Sequence, residues 1–402
     1  MSENTSTIEI QSASAHEQPW RLLLAAAALS LGGATALGFG RFAYALLLEP
    51  MRSALNWTYA QAGVINSANA VGYLIGTIAV GPAVSRFGAA LTVRLGMLIT
   101  ALSMLATGLL SDYSLLLLMR VLTGVGGGLI YVGAATVVLQ RAGLGGSSPA
   151  IYYSGPGIGI AVSGLAVPGL LVSLDGNWRM IWLLMGGCAF LALLVMWPHL
   201  RTAQRPLRGQ DRARGRAEWA DYRRIWPFLA AFLLYGIGYI GYMTFVVAYL
   251  QSLGLGPTAL QWFWGGLGIC AALGGLVWAQ IGNRIGSRAS VALMMFLLAI
   301  ASFLPVLLSG ATSLALSAVL FGGSFLAIVA AISTEVQRQI PADRWAVMMG
   351  HAVSLFAFGQ LLGPTLTGLV SDLPGGLALG MLLSGAVLGL AAVTVLLGKP
   401  RA

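Results

Sequence analysis

Apolar residues in this chain do not alternate with polar ones. They run unbroken for about 18 to 27 positions and stop at short polar turns. A bilayer core of roughly 30 Å takes about 20 helical residues to cross, so each run predicts one membrane helix. The spacing predicts spans at 21–48, 59–84, 93–110, 115–140, 150–173 and 178–198, then 226–250, 261–283, 289–309, 313–336, 346–370 and 376–398. Strands of a membrane barrel are about ten residues long and alternate in polarity, which excludes that architecture.

Composition agrees: 58% of residues are hydrophobic, 8% are charged and the mean hydropathy is +0.85, against roughly 25% charge in a soluble domain. The net charge of +10 raises the question of nucleic acid, but its distribution answers differently. With both ends on one side, that side holds Arg21, Arg86, Arg94, Arg141, Arg201, Arg205, Arg208, Arg212, Arg214, Arg216, Arg223, Arg224, Arg284, Arg288, Arg338, Arg344, Lys399 and Arg401, and the other only Arg52 and Arg179. Such asymmetry marks the basic side as cytoplasmic, so the expectation is a multi-pass protein of the bacterial inner membrane with both termini inside and no nucleic-acid partner. Residues 1–19 carry Glu3, Glu9 and Glu17, the wrong charge for a signal peptide, and Ala34-Thr35-Ala36 lies in an apolar run that continues to Leu48, so no processing is expected. Cys188 and Cys270, in different spans, read as small core residues and not as a disulfide.

The chain matches itself at a constant shift of 198 residues. Gly38-Phe39-Gly40-Arg41-Phe42-Ala43-Tyr44 falls on Gly236-Ile237-Gly238-Tyr239-Ile240-Gly241-Tyr242, Ser85-Arg86-Phe87-Gly88 on Asn283-Arg284-Ile285-Gly286, and Gly124 on Gly322. Six spans per repeat is an even number, so the halves share one orientation, the case in which substrate sits near the midplane between them. The predicted organisation is a tail (1–20), a six-helix half (21–198), a polar linker (199–225), a second six-helix half (226–398) and a short tail (399–402).

These residues resemble the major facilitator superfamily over essentially all the membrane portion. The loop signature after the second helix is similar in Gly81, Ser85, Arg86, Gly88 and Arg94, with a second copy at Ala279, Asn283, Arg284, Gly286 and Arg288; the family's Asp is replaced by Ser85 and Asn283. The fourth-helix signature resembles Arg120, Gly124, Gly126, Gly127 and Gly128, and Gly-Pro elements stand at Gly155-Pro156 and Gly363-Pro364. The first-helix string with Leu46-Leu47-Leu48 and Met51 looks most like the YbfB/YjiJ-type branch. The resemblance implies the major facilitator fold, an all-α membrane protein of twelve helices in two parallel-related halves, and secondary transport by alternating access. It assigns gating to the loops of Arg86 and Arg284 and helix packing to Gly124, Gly155, Pro156, Gly363 and Pro364.

Two arginines lie inside spans. Arg41 is about six residues beyond the middle of an outward helix and Arg120 about seven before the middle of an inward one, so at 1.5 Å per residue they share a level. A central charge costs at least about 2.5 to 3.5 kcal/mol facing lipid, so both are expected to face protein or a cleft, with snorkelling as the alternative. Tyr44, Tyr131, Tyr239 and Tyr242 share their helical stripes or repeat positions, and with Arg41 and Arg120 make the candidate substrate site. No Asp or Glu occupies a span centre, so an anionic substrate is the leading counter-ion, a guanidinium gripping a carboxylate with two parallel hydrogen bonds. Pairing of Arg41 with Glu49 or Asp112 is the alternative.

Glu335 and His351 are the candidates for proton coupling. Gly236-x-Gly238-x-x-Gly241 lacks the strand and acidic partner of a dinucleotide site and reads as helix packing, as do Gly72 with Gly76 and Gly124 with Gly128. No metal motif and no phosphate loop stands in the sequence, so no cofactor and no enzymatic activity are expected. The expected function is transport of a small, anionic organic solute by a monomer in the lipid bilayer, coupled to protons. The alternatives are a proton-driven exporter of amphipathic compounds, a transport-dead sensor or scaffold, and an intramembrane enzyme built on Ser324 and His351.

Overall fold

The computed structural model describes residues 19–142, 147–200 and 217–397. The basic residues from Arg201 to Arg216, Lys399, Arg401 and the acidic N-terminal tail lie outside the described residues, as does the side chain of Arg141. Among the described residues, twelve helices are long and apolar enough to cross a membrane: α1 (Trp20–Leu55), α2 (Tyr59–Phe87), α3 (Ala89–Leu109), α4 (Tyr113–Leu139), α5 (Ser148–Ser173), α6 (Trp178–Leu200), α7 (Trp219–Ser252), α8 (Pro257–Ile285), α9 (Ser287–Leu307), α10 (Ala311–Gln339), α11 (Val347–Ser371) and α12 (Gly376–Leu396). Large apolar side chains such as Ile78, Leu102, Leu191 and Val393 point outward from the bundle, a surface that belongs in lipid and not in water.

Several helices outrun their apolar cores. Helix α1 passes through Pro50 to Leu55, where Asn56 adopts the left-handed conformation and Glu49 pairs with Arg52 at 2.6 Å. Helix α7 begins at Trp219 instead of 226, because Glu218 and Asp221 form a reciprocal capping box over polar residues that hydropathy assigns to the linker. Cys188 is exposed on α6, not in the core, and Cys270 is half-buried; neither is in a disulfide.

The sequence repeat reappears as repeated contacts. A methyl group on Gly124 would lie 2.2 Å from the Asn69 carbonyl oxygen, and one on Gly322 would lie 2.2 Å from that of Leu267, so both pairs obey the 198-residue shift. Gly76 against Val125 O (2.3 Å) and Gly274 against Gly323 O (2.2 Å) form a second such pair. Helices α2 and α4 therefore pack backbone to backbone in the same register as α8 and α10. The turns after α2 and α8 also repeat: Gly88 (φ 80°, ψ 156°) and Gly286 (φ 84°, ψ 158°) share one conformation that side chains avoid.

The halves meet along α2 against α11 and α5 against α8. Their hydrogen bonds cluster between mid-membrane and the face opposite the termini, here the far face. Asp372 accepts from the backbone N–H groups of Tyr59 (2.8 Å) and Ala60 (2.9 Å), Ser67 donates to Leu361 O (2.6 Å), Asn66 donates to Thr244 (2.7 Å) and Gln261 donates to Leu165 O (2.8 Å). Gly63 against Pro364 and Gly157 against Ala272 allow these close approaches.

Candidate functional site

Helix α1 is not uniformly α-helical. Residues Ala34–Phe42 form a π-helix, and the Ala43 N–H reaches back five residues to Gly38 O at 2.8 Å. Such wide turns are rare and concentrate at functional sites. This one is wedged: a methyl on Gly38 would lie 2.5 Å from Gly159 Cα of α5, and one on Gly33 3.0 Å from Pro156. Arg41 projects from its last turn and is 3% exposed. Its guanidinium lies over the rings of Tyr73 (5.5 Å) and Phe42 (5.9 Å), and its buried Nη2 has no hydrogen-bond partner.

Arg120 stands at the same level in a different environment. It donates through Nη1 to Gly40 O (2.7 Å) and through Nη2 to Asn66 Oδ1 (3.4 Å), and Tyr44 (5.0 Å) and Trp182 (5.3 Å) cover its faces. It thus binds the carbonyl beside Arg41 and packs within its own half. Both far-face carboxylates weighed as partners for Arg41 are engaged elsewhere, Glu49 by Arg52 and Asp112 by the Leu115 N–H.

Across from Arg41, helix α7 supplies Tyr239, its counterpart under the repeat. Its ring stacks on Tyr235 (4.7 Å) and lies near Phe356 (5.8 Å) and Phe325 (6.2 Å), and its hydroxyl accepts from Gln360 Nε2 at 2.6 Å. Phe42, over which Arg41 lies, stands edge-on to Phe325 (5.7 Å), the ring beside Tyr239. Arg41 and Tyr239 are therefore linked across the interface of the halves through these two rings. Tyr44 and Tyr242 turn away from it: Tyr44 donates to Ala62 O, and Tyr242 stacks on Phe321 (4.1 Å) and shares a hydrogen bond with Ser317. Tyr131 lies farther toward the terminal face, stacked on Tyr152 and edge-on to Tyr153, whose ring is 46% exposed.

The coupling and gating candidates lie at the terminal face, apart from Arg41. Glu335 accepts from Ser287 and from Gln339 (2.6 Å), and His351 Nδ1 bonds and stacks with Tyr222. Arg86 is exposed over Phe87, and Arg284 lines a surface crevice with Leu276 and Ile281. Ser85 reaches only Pro82 O, whereas Arg94 lies 4.0 Å over Trp197. Methyl groups on Gly155 and Gly363 would lie 2.2 Å from Ser30 O and 2.4 Å from Ile237 O, and Pro156 and Pro364 are the nearest neighbours of Gly33 and Gly63, each at a helix crossing. The triplet Gly236, Gly238 and Gly241 packs on α11 and α12 in the same way.

Gln360 and Asp372 were invisible to sequence reasoning. Gln360 lies buried within α11 and Asp372 in a short loop, and each acquires its role from a partner more than a hundred residues away.

Twelve apolar helices in two like halves, meeting along α2–α11 and α5–α8 around a buried arginine, define a transporter of the major facilitator fold. Its wall of solved relatives is consistent: a bacterial homologue of the human lysosomal transporter Spinster, inward-facing and unoccupied, matches 95% of this chain and 98% of its own at a TM-score of 0.74 and 16% identity. The nucleoside transporter NupG matches 94% of this chain and 100% of its own at 0.73 and 18% identity. The chain belongs to the family described as uncharacterised MFS-type transporter YbfB, whose model matches residues 33–396. It is also similar to the uncharacterised MFS-type transporter YuxJ of Bacillus subtilis (strain 168), 28% identical over 155 residues, 37% of this chain and 38% of that protein. The chain is thus a membrane transporter of a small solute.

Proposed function

We propose that the solute is a small organic anion, that it binds at Arg41 between the halves, and that proton movement through Glu335 drives its transport across the bacterial inner membrane. One observation carries the substrate class: Arg41 is buried, its Nη2 has no hydrogen-bond partner, and both far-face carboxylates considered for it are held elsewhere. A guanidinium so placed gains most from a ligand that brings the missing negative charge. The inter-half bonds at the far face support a state open toward the terminal face, and the charge asymmetry of eighteen against two supports a cytoplasmic terminal face. For Glu335, the support is a buried carboxylate with two neutral donors at the end of α10.

The test is uptake into proteoliposomes with equilibrium binding in parallel. Arg41→Ala abolishes both, and Arg41→Lys, which keeps the charge and loses the planar fork, inserts normally and transports poorly. An Arg41→Ala protein that binds and carries an anionic substrate as well as the parent refutes the reading.

A further inference from the structure

Arg41 contributes one half of a site whose other half lies across the interface, and the inference here rests on the anion reading above. Tyr239 offers a phenol with one proton and two lone pairs. Gln360 Nε2 donates to that oxygen at 2.6 Å, which fills a lone pair and leaves the proton to be given elsewhere. Gln360 is 3% exposed and cannot drift: methyl groups on Gly359 and Gly363, flanking it on α11, would lie 2.3 Å from Leu233 O and 2.4 Å from Ile237 O of α7. The Tyr239 ring is fixed as well, between Tyr235, Phe356 and Phe325. The phenolic proton and the Arg41 Nη2 are unpartnered, one from each half; the Nε of Arg120 is unpartnered too, while both its terminal nitrogens are bonded.

We infer that Gln360 is a positioning residue that fixes Tyr239 as a hydrogen-bond donor, so that Arg41 and Tyr239 together grip the single carboxylate of a monoanion with a flat apolar body. The charge count follows from the arginines. Arg120 is held by Gly40 O and Asn66, so one guanidinium is left to meet a ligand. The apolar body follows from the surrounding rings of Phe42, Tyr73, Phe325 and Phe356. Among the described residues the carboxylates stand at the far face or the terminal face and none in a span centre beside Arg41, which disfavours amino acids and organic cations.

The experiment uses purified full-length protein and four probes of similar shape: benzoate, phenylacetate, phenylacetamide and phenethylamine. The two carboxylates raise the melting temperature and the amide and amine do not, since only a ligand that binds the folded state stabilises it. Calorimetric titration of the better carboxylate then measures affinity in the variants. Tyr239→Phe and Gln360→Leu each weaken it about tenfold, the lower end for a hydrogen bond to a charged group, and the double variant binds no worse than Tyr239→Phe alone. Gln360→Glu, which takes the Tyr239 proton for itself and adds a like charge, loses more. Gln360→Met carries the same arm if the leucine variant is misfolded by its ligand-free melt.

If neither carboxylate binds, this inference is overturned while the anion reading stands; if Arg41→Ala binds as the parent does, the two fall together. If binding needs Arg41 but is unchanged in Tyr239→Phe and Gln360→Leu, the inference alone is overturned. Losses that add in the double variant overturn the positioning role of Gln360.

Discussion

Asp372 is placed to hold the far face shut, and its removal gives a measurable shift between conformers. The carboxylate lies at the end of α11 and accepts from the first two N–H groups of α2, at 2.8 and 2.9 Å, so it joins the halves through the positive end of a helix. Thr58 and Gln61 already cap that helix reciprocally, which leaves the Tyr59 and Ala60 N–H groups as the donors that Asp372 satisfies. Asp372 is exposed, so water replaces part of what is lost. A cap of this kind contributes about 1 kcal/mol, within the 0.5 to 2 kcal/mol range of helix N-caps, and a change of that size moves a two-state ratio about fivefold. Asp372→Ala is therefore expected to raise the far-face-open fraction about fivefold, Asp372→Asn less because it keeps an acceptor, and Asp372→Lys more because it sets a cation against the helix N-terminus. Spin labels at Ala54 and Leu253, at the far-face ends of α1 and α7, report the two populations as separate distances in a background with Cys188 and Cys270 replaced. Distance distributions of Asp372→Ala and Asp372→Lys that superimpose on the parent in lipid would refute the latch.

Two further outcomes follow from the packing and from the terminal face. Gly124→Ala and Gly322→Ala drive a methyl into backbone oxygens at 2.2 Å, so each is expected to destabilise by about 1 to 3 kcal/mol, whereas Gly323→Ala, with open space around it, melts with the parent; equal melting of all three in detergent would disprove the symmetric-contact argument. Glu335→Gln is expected to abolish uptake driven by a proton gradient while leaving exchange of substrate across the membrane intact, and gradient-driven uptake at the parent rate would remove Glu335 from the coupling path.

The helix count and the repeat were legible because both are written in one dimension: length and apolarity set the spans, and a constant shift set the symmetry. The shift even located contacts, since Gly124 with Asn69 and Gly322 with Leu267 keep it in space. Helix ends were less legible, because capping residues such as Glu218 and Asp221 extend α7 through polar sequence that hydropathy discards. Tyr44, Tyr131 and Tyr242 share a stripe or a repeat position with the arginines, yet each sits apart from Arg41. Helical spacing fixes a direction only while the turn stays α, and the π-helix of Ala34–Phe42 lies between Tyr44 and the rest of its stripe. Nothing in the composition of Gly38-Phe39-Gly40-Arg41 marks a π turn over an α turn. The π turn coincides with the close approach of α5 at Gly159.

The contrast between the two arginines gives that π segment a consequence. Arg120 donates its shorter hydrogen bond to Gly40 O, one residue before Arg41, and its other partners, Asn66, Tyr44 and Trp182, all belong to the same half. Its own contacts stay within that half, and its link across the interface is indirect, through Asn66, which also donates to Thr244. Arg41 lies against rings of its own half, and Phe42 among them stands edge-on to Phe325, the ring beside Tyr239 on the other. An anion gripped from both sides adds its binding energy to one arrangement of the halves and not to the rest, and a ligand shifts a conformational equilibrium only by such a difference in affinity. Under the proposed anion site, Arg120 keeps the Gly40 carbonyl in place while the load passes through Arg41. On this argument the two charges at one level are not redundant: loss of Arg120 deforms the site within one half, whereas loss of Arg41 disconnects the halves from the substrate.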